Sequence, residues 1–143
     1  MPKKQDIKFK VGFFPGNWDL LHNGHIRALK EARQYCDYLI VGIKENNNDV
    51  PTKNQPIMSV AERKEMLGAF WWIDELVTYK SEKELYELDA SKEYNIRFMG
   101  IEYKRKRHHP IKAKIVYISR NHNYSTSRLR EQIYQAECKK HLS

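Results

Sequence analysis

Short apolar runs that alternate with helical stretches constrain this chain more than any other feature. Lys8–Phe14 (KFKVGFF), Tyr38–Ile43 (YLIVGI), Asp74–Tyr79 (DELVTY), Ile96–Gly100 (IRFMG) and Lys114–Ser119 (KIVYIS) read as strands. The second is continuously apolar, as a strand covered on both faces must be. From Gly24 to about Tyr35 the apolar residues Ile26, Leu29 and Ala32 recur at helical spacing. Ser59-Val60-Ala61-Glu62 and Ser81-Glu82-Lys83-Glu84 are capping-box patterns, opening helices to about Phe70 and Glu93. A last helix is expected from near Ser127 to Lys139. Such alternation requires parallel strands joined by right-handed crossovers. The expected fold is α/β: a single doubly wound Rossmann-like domain with a five-stranded parallel sheet, spanning residues 1–143, with no repeat, low-complexity tract or linker.

Composition narrows the function classes. With 41% hydrophobic and 31% charged residues the chain is not a disordered one, and 143 residues suffice to close one core without staples. Cys36 and Cys138 lie far apart without partner spacing, so buried or idle thiols are expected rather than a disulfide or a zinc site. No apolar run is long enough to cross a bilayer, so no membrane insertion is expected. The N-terminal Met1-Pro2-Lys3-Lys4-Gln5-Asp6 carries no apolar signal region, which points to the cytoplasm. A balance of 26 Lys+Arg against 18 Asp+Glu favours anionic partners without choosing among nucleic acid, acidic membranes and phosphorylated metabolites.

In a doubly wound sheet, ligands sit beyond the carboxyl ends of the strands. The loops to inspect therefore follow Phe14, Ile43, Gly100 and Ser119. The first reads Phe14-Pro15-Gly16-Asn17-Trp18-Asp19-Leu20-Leu21-His22-Asn23-Gly24-His25. A helix N-terminus presents free N–H groups and a partial positive charge, and Gly24 lets an anion approach that backbone. His22 and His25 add imidazole donors on the same side. Together they suit a phosphate that gains charge during substitution at phosphorus. By composition, an H-x-G-H tetrapeptide arises by chance in about one chain in a hundred of this kind.

This segment resembles the signature of the H-x-G-H nucleotidylyltransferase superfamily, which includes glycerol-3-phosphate and choline-phosphate cytidylyltransferases and pantetheine-phosphate adenylyltransferases. A second stretch, Arg120-Asn121-His122-Asn123-Tyr124-Ser125-Thr126-Ser127, resembles the cytidylyltransferase R-T-E-G-I-S-T-S motif at Arg120, Ser125, Thr126 and Ser127. The resemblance runs over roughly residues 9–135. It implies that His22 and His25 are catalytic, and that Asn17, Trp18, Asn23, Gly24, Arg120, Ser125, Thr126 and Ser127 bind the nucleotide. It implies that Lys44, Lys53, Arg63 and Asp19 bind the phosphorylated acceptor, with no residue assigned as a metal ligand. Magnesium would accompany the triphosphate, and the enzyme would be a homodimer. The favoured reaction is transfer of a cytidylyl group from CTP to a phosphorylated small alcohol, glycerol 3-phosphate first, with pyrophosphate leaving.

Two departures bear on this. Trp71 stands where the family's R-Y-V-D-E-V motif has Arg, and Ile101-Glu102 keeps one acid of an acidic pair. Phe14–Asp19 and Ser59–Arg63 also lean toward the adenylyltransferase pattern, so an ATP-dependent enzyme of the pantetheine-phosphate type is the alternative. A second alternative is a non-catalytic basic nucleic-acid-binding protein, suggested by Lys104-Arg105-Lys106-Arg107-His108-His109. No nucleic-acid module pattern accompanies that run, and its expected place is the entrance of the anionic site. The Trp71-Trp72 pair is expected to serve as a core or interface anchor.

Overall fold

Phe13 and Phe14 are neighbours in one strand, so their side chains must enter opposite faces of the sheet. Each seeds a core. On one face Phe14 packs with Leu29, Ala32, Val41, Leu67 and Phe98; on the other Phe13 packs with Ile40, Tyr79 and Leu85. The computed structural model describes residues 9–120 and 123–142. Lys8, the N-terminal stretch read as leaderless, and Asn121 and His122 of the second motif lie outside them.

The elements follow the expected alternation: β1 (Val11–Gly16), α1 (Asn23–Arg33), β2 (Tyr38–Lys44), α2 (Val60–Gly68), β3 (Glu75–Tyr79), α3 (Glu82–Ser91), β4 (Ile96–Gly100), β5 (Lys114–Ile118) and α4 (Thr126–Leu142). They form a single α/β domain. All strand pairs are parallel, in the order β3-β2-β1-β4-β5. The order reverses direction at β1, whose neighbours are β2 and β4. The crevice beyond the carboxyl ends of β1 and β4 is thus the switch point where ligands bind in such sheets. β2 is buried at every position after Tyr38, as its unbroken apolar run requires.

Local chemistry sets the helix starts. Ser59 Oγ accepts from Glu62 N–H and the Glu62 carboxylate accepts from Ser59 N–H, a complete capping box. At α3 only half the box forms. Ser81 Oγ accepts from Glu84 N–H, but the Glu84 carboxylate turns back to Lys80 N–H instead. The β4–β5 crossover holds a single 3-10 turn, Ile101–Tyr103, in place of an α-helix. Its basic run, Lys104–His108, is exposed, and His109 tethers it to the buried Asp89 carboxylate, which also binds Arg97 and Tyr94. The tryptophan pair divides: Trp72 packs against the core, whereas Trp71 is 76% exposed. Both cysteines are free thiols.

Gly12 shows how tightly β1 is packed. A Cβ there would lie 2.5 Å from Phe98 Cε2 and 3.0 Å from Cys36 Sγ. Both neighbours are held in the core, so Gly12→Ala is expected to destabilise the fold by about 1–3 kcal/mol. A shift of the urea midpoint with an unchanged m-value is the expected result.

Candidate active site

The β1–α1 loop is built around backbone strain. Trp18 (φ 56°) and Leu20 (φ 47°) both sit in the left-handed region, which disfavours large side chains. Such geometry persists only where the surroundings over-determine it, and here contacts of four side chains, Trp18, Asp19, Thr126 and Arg63, do so. The Trp18 indole is buried, donates to Gly42 O at 3.1 Å and meets Phe14 edge-on, with ring centroids 4.9 Å apart. The Asp19 carboxylate accepts from Ile57 N–H (2.8 Å) and Met58 N–H (2.9 Å), pinning the entry to α2. The Asp19 carbonyl accepts from Thr126 Oγ1–H at 3.0 Å. Arg63 holds the residue before the strained pair, as described next.

Arg63 is 1% exposed and reaches five carbonyls: Met58 and Ser59 through Nε, Asn17 (2.8 Å) and Lys44 (2.6 Å) through Nη1, and Glu45 (2.8 Å) through Nη2. One guanidinium therefore ties the ends of β1 and β2 to the start of α2. Sequence reasoning placed Arg63 at the acceptor; the structure gives its guanidinium to these backbone oxygens. Lys44 is similarly engaged, with Nζ 3.0 Å from both Asp49 and Glu82. Lys53 is exposed in the loop after β2.

The two histidines cap α1 reciprocally. Gly24 N–H donates to His22 Nδ1 at 3.0 Å, and His22 N–H donates to His25 Nδ1 at 3.2 Å. The rings stack with centroids 3.9 Å apart, and His25 also lies 5.4 Å from the Trp18 ring. The Gly24 amide, expected to be free for an anion, is thus taken up by an imidazole. What the cap presents outward is imidazole N–H. Each Nδ1 accepts a proton donor and so carries none itself, which leaves each ring neutral with its proton on Nε2. Burial first, then the closeness of a second ionisable imidazole, His22, and of the Arg120 cation, lower the His25 pKa from 6.5 to about 3.

The second motif meets the first here. Thr126 Oγ1 lies 3.3 Å from His22 Nε2. Ser125 caps α4, its Oγ accepting from Arg128 N–H. Arg120 stands close enough to influence His25 and pairs with Glu102 at 3.3 Å on the exposed rim. Asn23 and Ser127 are exposed. A shallow depression beside His22 is lined by Asn123, Tyr124, Ser125, Arg128, Leu129 and Gln132. Sequence reasoning did not single out Arg128 and Gln132, although both follow Ser125 at helical spacing. Asn17 Oδ1 is buried and meets no donor among the described residues.

Comparison with known proteins identifies the family. Residues 13–132 match the family model described as cytidylyltransferase-like, a span that includes both histidines and the start of α4. The chain belongs to that family. This cytidylyltransferase-like chain is 28% identical to the glycerol-3-phosphate cytidylyltransferase of Bacillus subtilis, covering 82% of this chain and 92% of that protein. It is 34% identical to the bifunctional protein HldE of Campylobacter jejuni, over 91% of this chain but 29% of that protein. It is 44% identical to a probable ethanolamine-phosphate cytidylyltransferase of Encephalitozoon cuniculi, over 48% of this chain and 21% of that protein. The chain thus spans less than a third of these last two relatives. The crystal structure of a lipopolysaccharide core biosynthesis protein from Thermoplasma volcanium shares the fold, with a TM-score of 0.67 at 22% identity, covering 80% of this chain and all of that one. No helix among the described residues is long and apolar enough to cross a membrane.

The neutral His25 makes stability depend on pH. Its folded pKa lies below its ordinary value of 6.5, so between about pH 3 and 6.5 the unfolded chain binds more protons than the folded one. The stabilisation is fully present above pH 6.5 and declines as the pH falls through that window. One proton corresponds to a slope of up to about 1.4 kcal/mol per pH unit. Denaturant unfolding between pH 7 and 4 is expected to show this slope, and His25→Asn is expected to reduce it.

Proposed function

We propose that this chain transfers a cytidylyl group from CTP to a phosphorylated small alcohol, glycerol 3-phosphate before others, and releases pyrophosphate. The observation that carries the reading is the stacked imidazole pair, capped through Nδ1 and armed through Nε2–H. An acceptor phosphate oxygen attacks the α-phosphorus in line, and the bond to the departing pyrophosphate oxygen breaks. Charge builds on the α-phosphoryl oxygens and the leaving oxygen. Donors fixed in advance stabilise that charge without moving. The phosphate nucleophile is already ionised at neutral pH, so neutral donors suffice and no general base is needed.

The remaining residues fit around this step. Arg120 and the α4 N-terminus, with Ser125 and Ser127, offer positive potential to the triphosphate. Asn17, with its unmatched buried oxygen, suits an N–H or O–H donor of the nucleotide. Lys53 is the exposed cation available to the acceptor phosphate. Magnesium belongs to the same reading as a companion of the triphosphate. The described residues hold no group of three or more His, Cys, Asp or Glu arranged for a metal, and Asp19 is hydrogen-bonded to α2's entry. The ion would therefore ride on phosphate oxygens, and no step here is assigned to it. Glycerol 3-phosphate comes first because the Bacillus relative that names it is matched along most of both chains. A cytosolic homodimer completes the reading.

Pyrophosphate release should be measured with CTP and with ATP across a panel of phosphorylated alcohols. Turnover with CTP and glycerol 3-phosphate is the expected result; turnover with ATP alone would replace the nucleotide assignment. His22→Ala and His25→Ala are each expected to lower kcat by at least about 10²-fold with the fold intact by circular dichroism. Near-normal turnover in both variants would remove the mechanism.

A further inference from the structure

Thr126 entered the sequence reading as a nucleotide ligand, yet its hydroxyl is engaged on both sides by the catalytic loop. The Asp19 carbonyl can only accept, so the single hydroxyl proton points to it, at 3.0 Å. The oxygen lone pairs are then left for His22 Nε2 at 3.3 Å, which must be the donor. From the other side of the ring, Gly24 N–H donates to Nδ1 at 3.0 Å, which must be bare. The two ends fix the same tautomer independently. An imidazolium, or the opposite tautomer, would set N–H against N–H at Gly24. The line Asp19 C=O, Thr126 hydroxyl, His22 ring, Gly24 N–H also joins the first residue of α4 to the first turn of α1.

α4 has no fully buried side chain. Among the described residues, polar contacts link it to the loops, among them Thr126 on Asp19 and Arg130 Nη1 on Gln55 O at 3.2 Å. Thr126 is therefore placed to report the seating of α4 directly to a catalytic ring.

We propose that Thr126 is a positioning residue. It accepts the Nε2–H of neutral His22, fixing the orientation of that ring within the site, and so makes the second motif a condition for the first to work. This rests on the nucleotidyl-transfer reading above. A direct triphosphate ligand and a positioning residue differ in what their loss changes. The first raises the KM for the nucleotide; the second lowers kcat and frees the imidazole.

The test uses Thr126→Val, close in shape but without the hydroxyl, and Thr126→Ser, which keeps it. For Thr126→Val, kcat is expected to fall about 10- to 100-fold with the CTP KM within about twofold, and Thr126→Ser is expected to restore most of the loss. In nitrogen-15 spectra of the ligand-free protein at pH 7, assigned through His22→Gln, wild type and Thr126→Ser are expected to show His22 in the Nε2–H form. Thr126→Val, which keeps the Gly24 contact but removes the acceptor of Nε2–H, is expected to keep that tautomer and to shift the His22 Nε2 resonance. An unchanged His22 spectrum in Thr126→Val, or a raised CTP KM at unchanged kcat, would overturn the proposal. If wild type turns over neither CTP nor ATP, the enzymatic reading fails instead, and the spectra still decide the role of Thr126 at His22.

Discussion

The first turn of α1 is capped by rings rather than by the usual hydroxyl and carboxylate, and the site depends on that choice. At α2 the same reciprocal pattern is made by Ser59 and Glu62, which places a negative charge at the helix start. That is good for a helix and hostile to a phosphate. At α1, His22 and His25 satisfy the same two kinds of orphan amide without charge, and each keeps a proton pointed away from the backbone. Capping uses Nδ1, and the proposed catalysis would use the opposite nitrogen of the same side chain. Burial of His25 among His22, Trp18 and the rim keeps it neutral, so the stacked rings do not repel each other.

The strained segment ahead of the rings is held in the same economical manner. Trp18 and Leu20 accept left-handed backbone because Asp19, between them, is bonded through its carboxylate to α2's entry and through its carbonyl to α4. Arg63 ties the loop's beginning to β2. Three regions distant in sequence converge on residues 17–19, so the geometry at His22 is set by the whole carboxyl edge of the sheet.

Much of this was legible in the chain. Strand positions came from apolar runs, because a sheet covered on both faces leaves polar residues little place in β2. The α2 start came from Ser59 and Glu62, whose side chains can satisfy amides that no helix can satisfy internally. The histidines came from their placement between a strand and a helix. What sequence could not give is which partner a versatile side chain takes. Arg63 and Lys44 are long cations beside an anionic site, and both looked like ligands; the fold surrounds one with carbonyls and the other with Asp49 and Glu82. Glu84 had two amides within reach and took Lys80. Thr126 carried a phosphate-like signature, but its orientation toward His22 depends on α4 docking, a long-range fact that no local pattern encodes.

The segment between β2 and α2 has a construction of its own. Asn47 and Gln55 close it internally, through Asn47 N–H to Gln55 Oε1, Asn47 Nδ2 to Asn54 O and Gln55 Nε2 to Asn48 Oδ1. Its two feet are fastened independently, Glu45 by Arg63 and Ile57 and Met58 by Asp19. An arc that folds upon itself and stands on rigid footings behaves as a cassette. Substitutions between its two footings can therefore be absorbed inside the arc, while Arg63 and Asp19 keep the imidazole cradle in register.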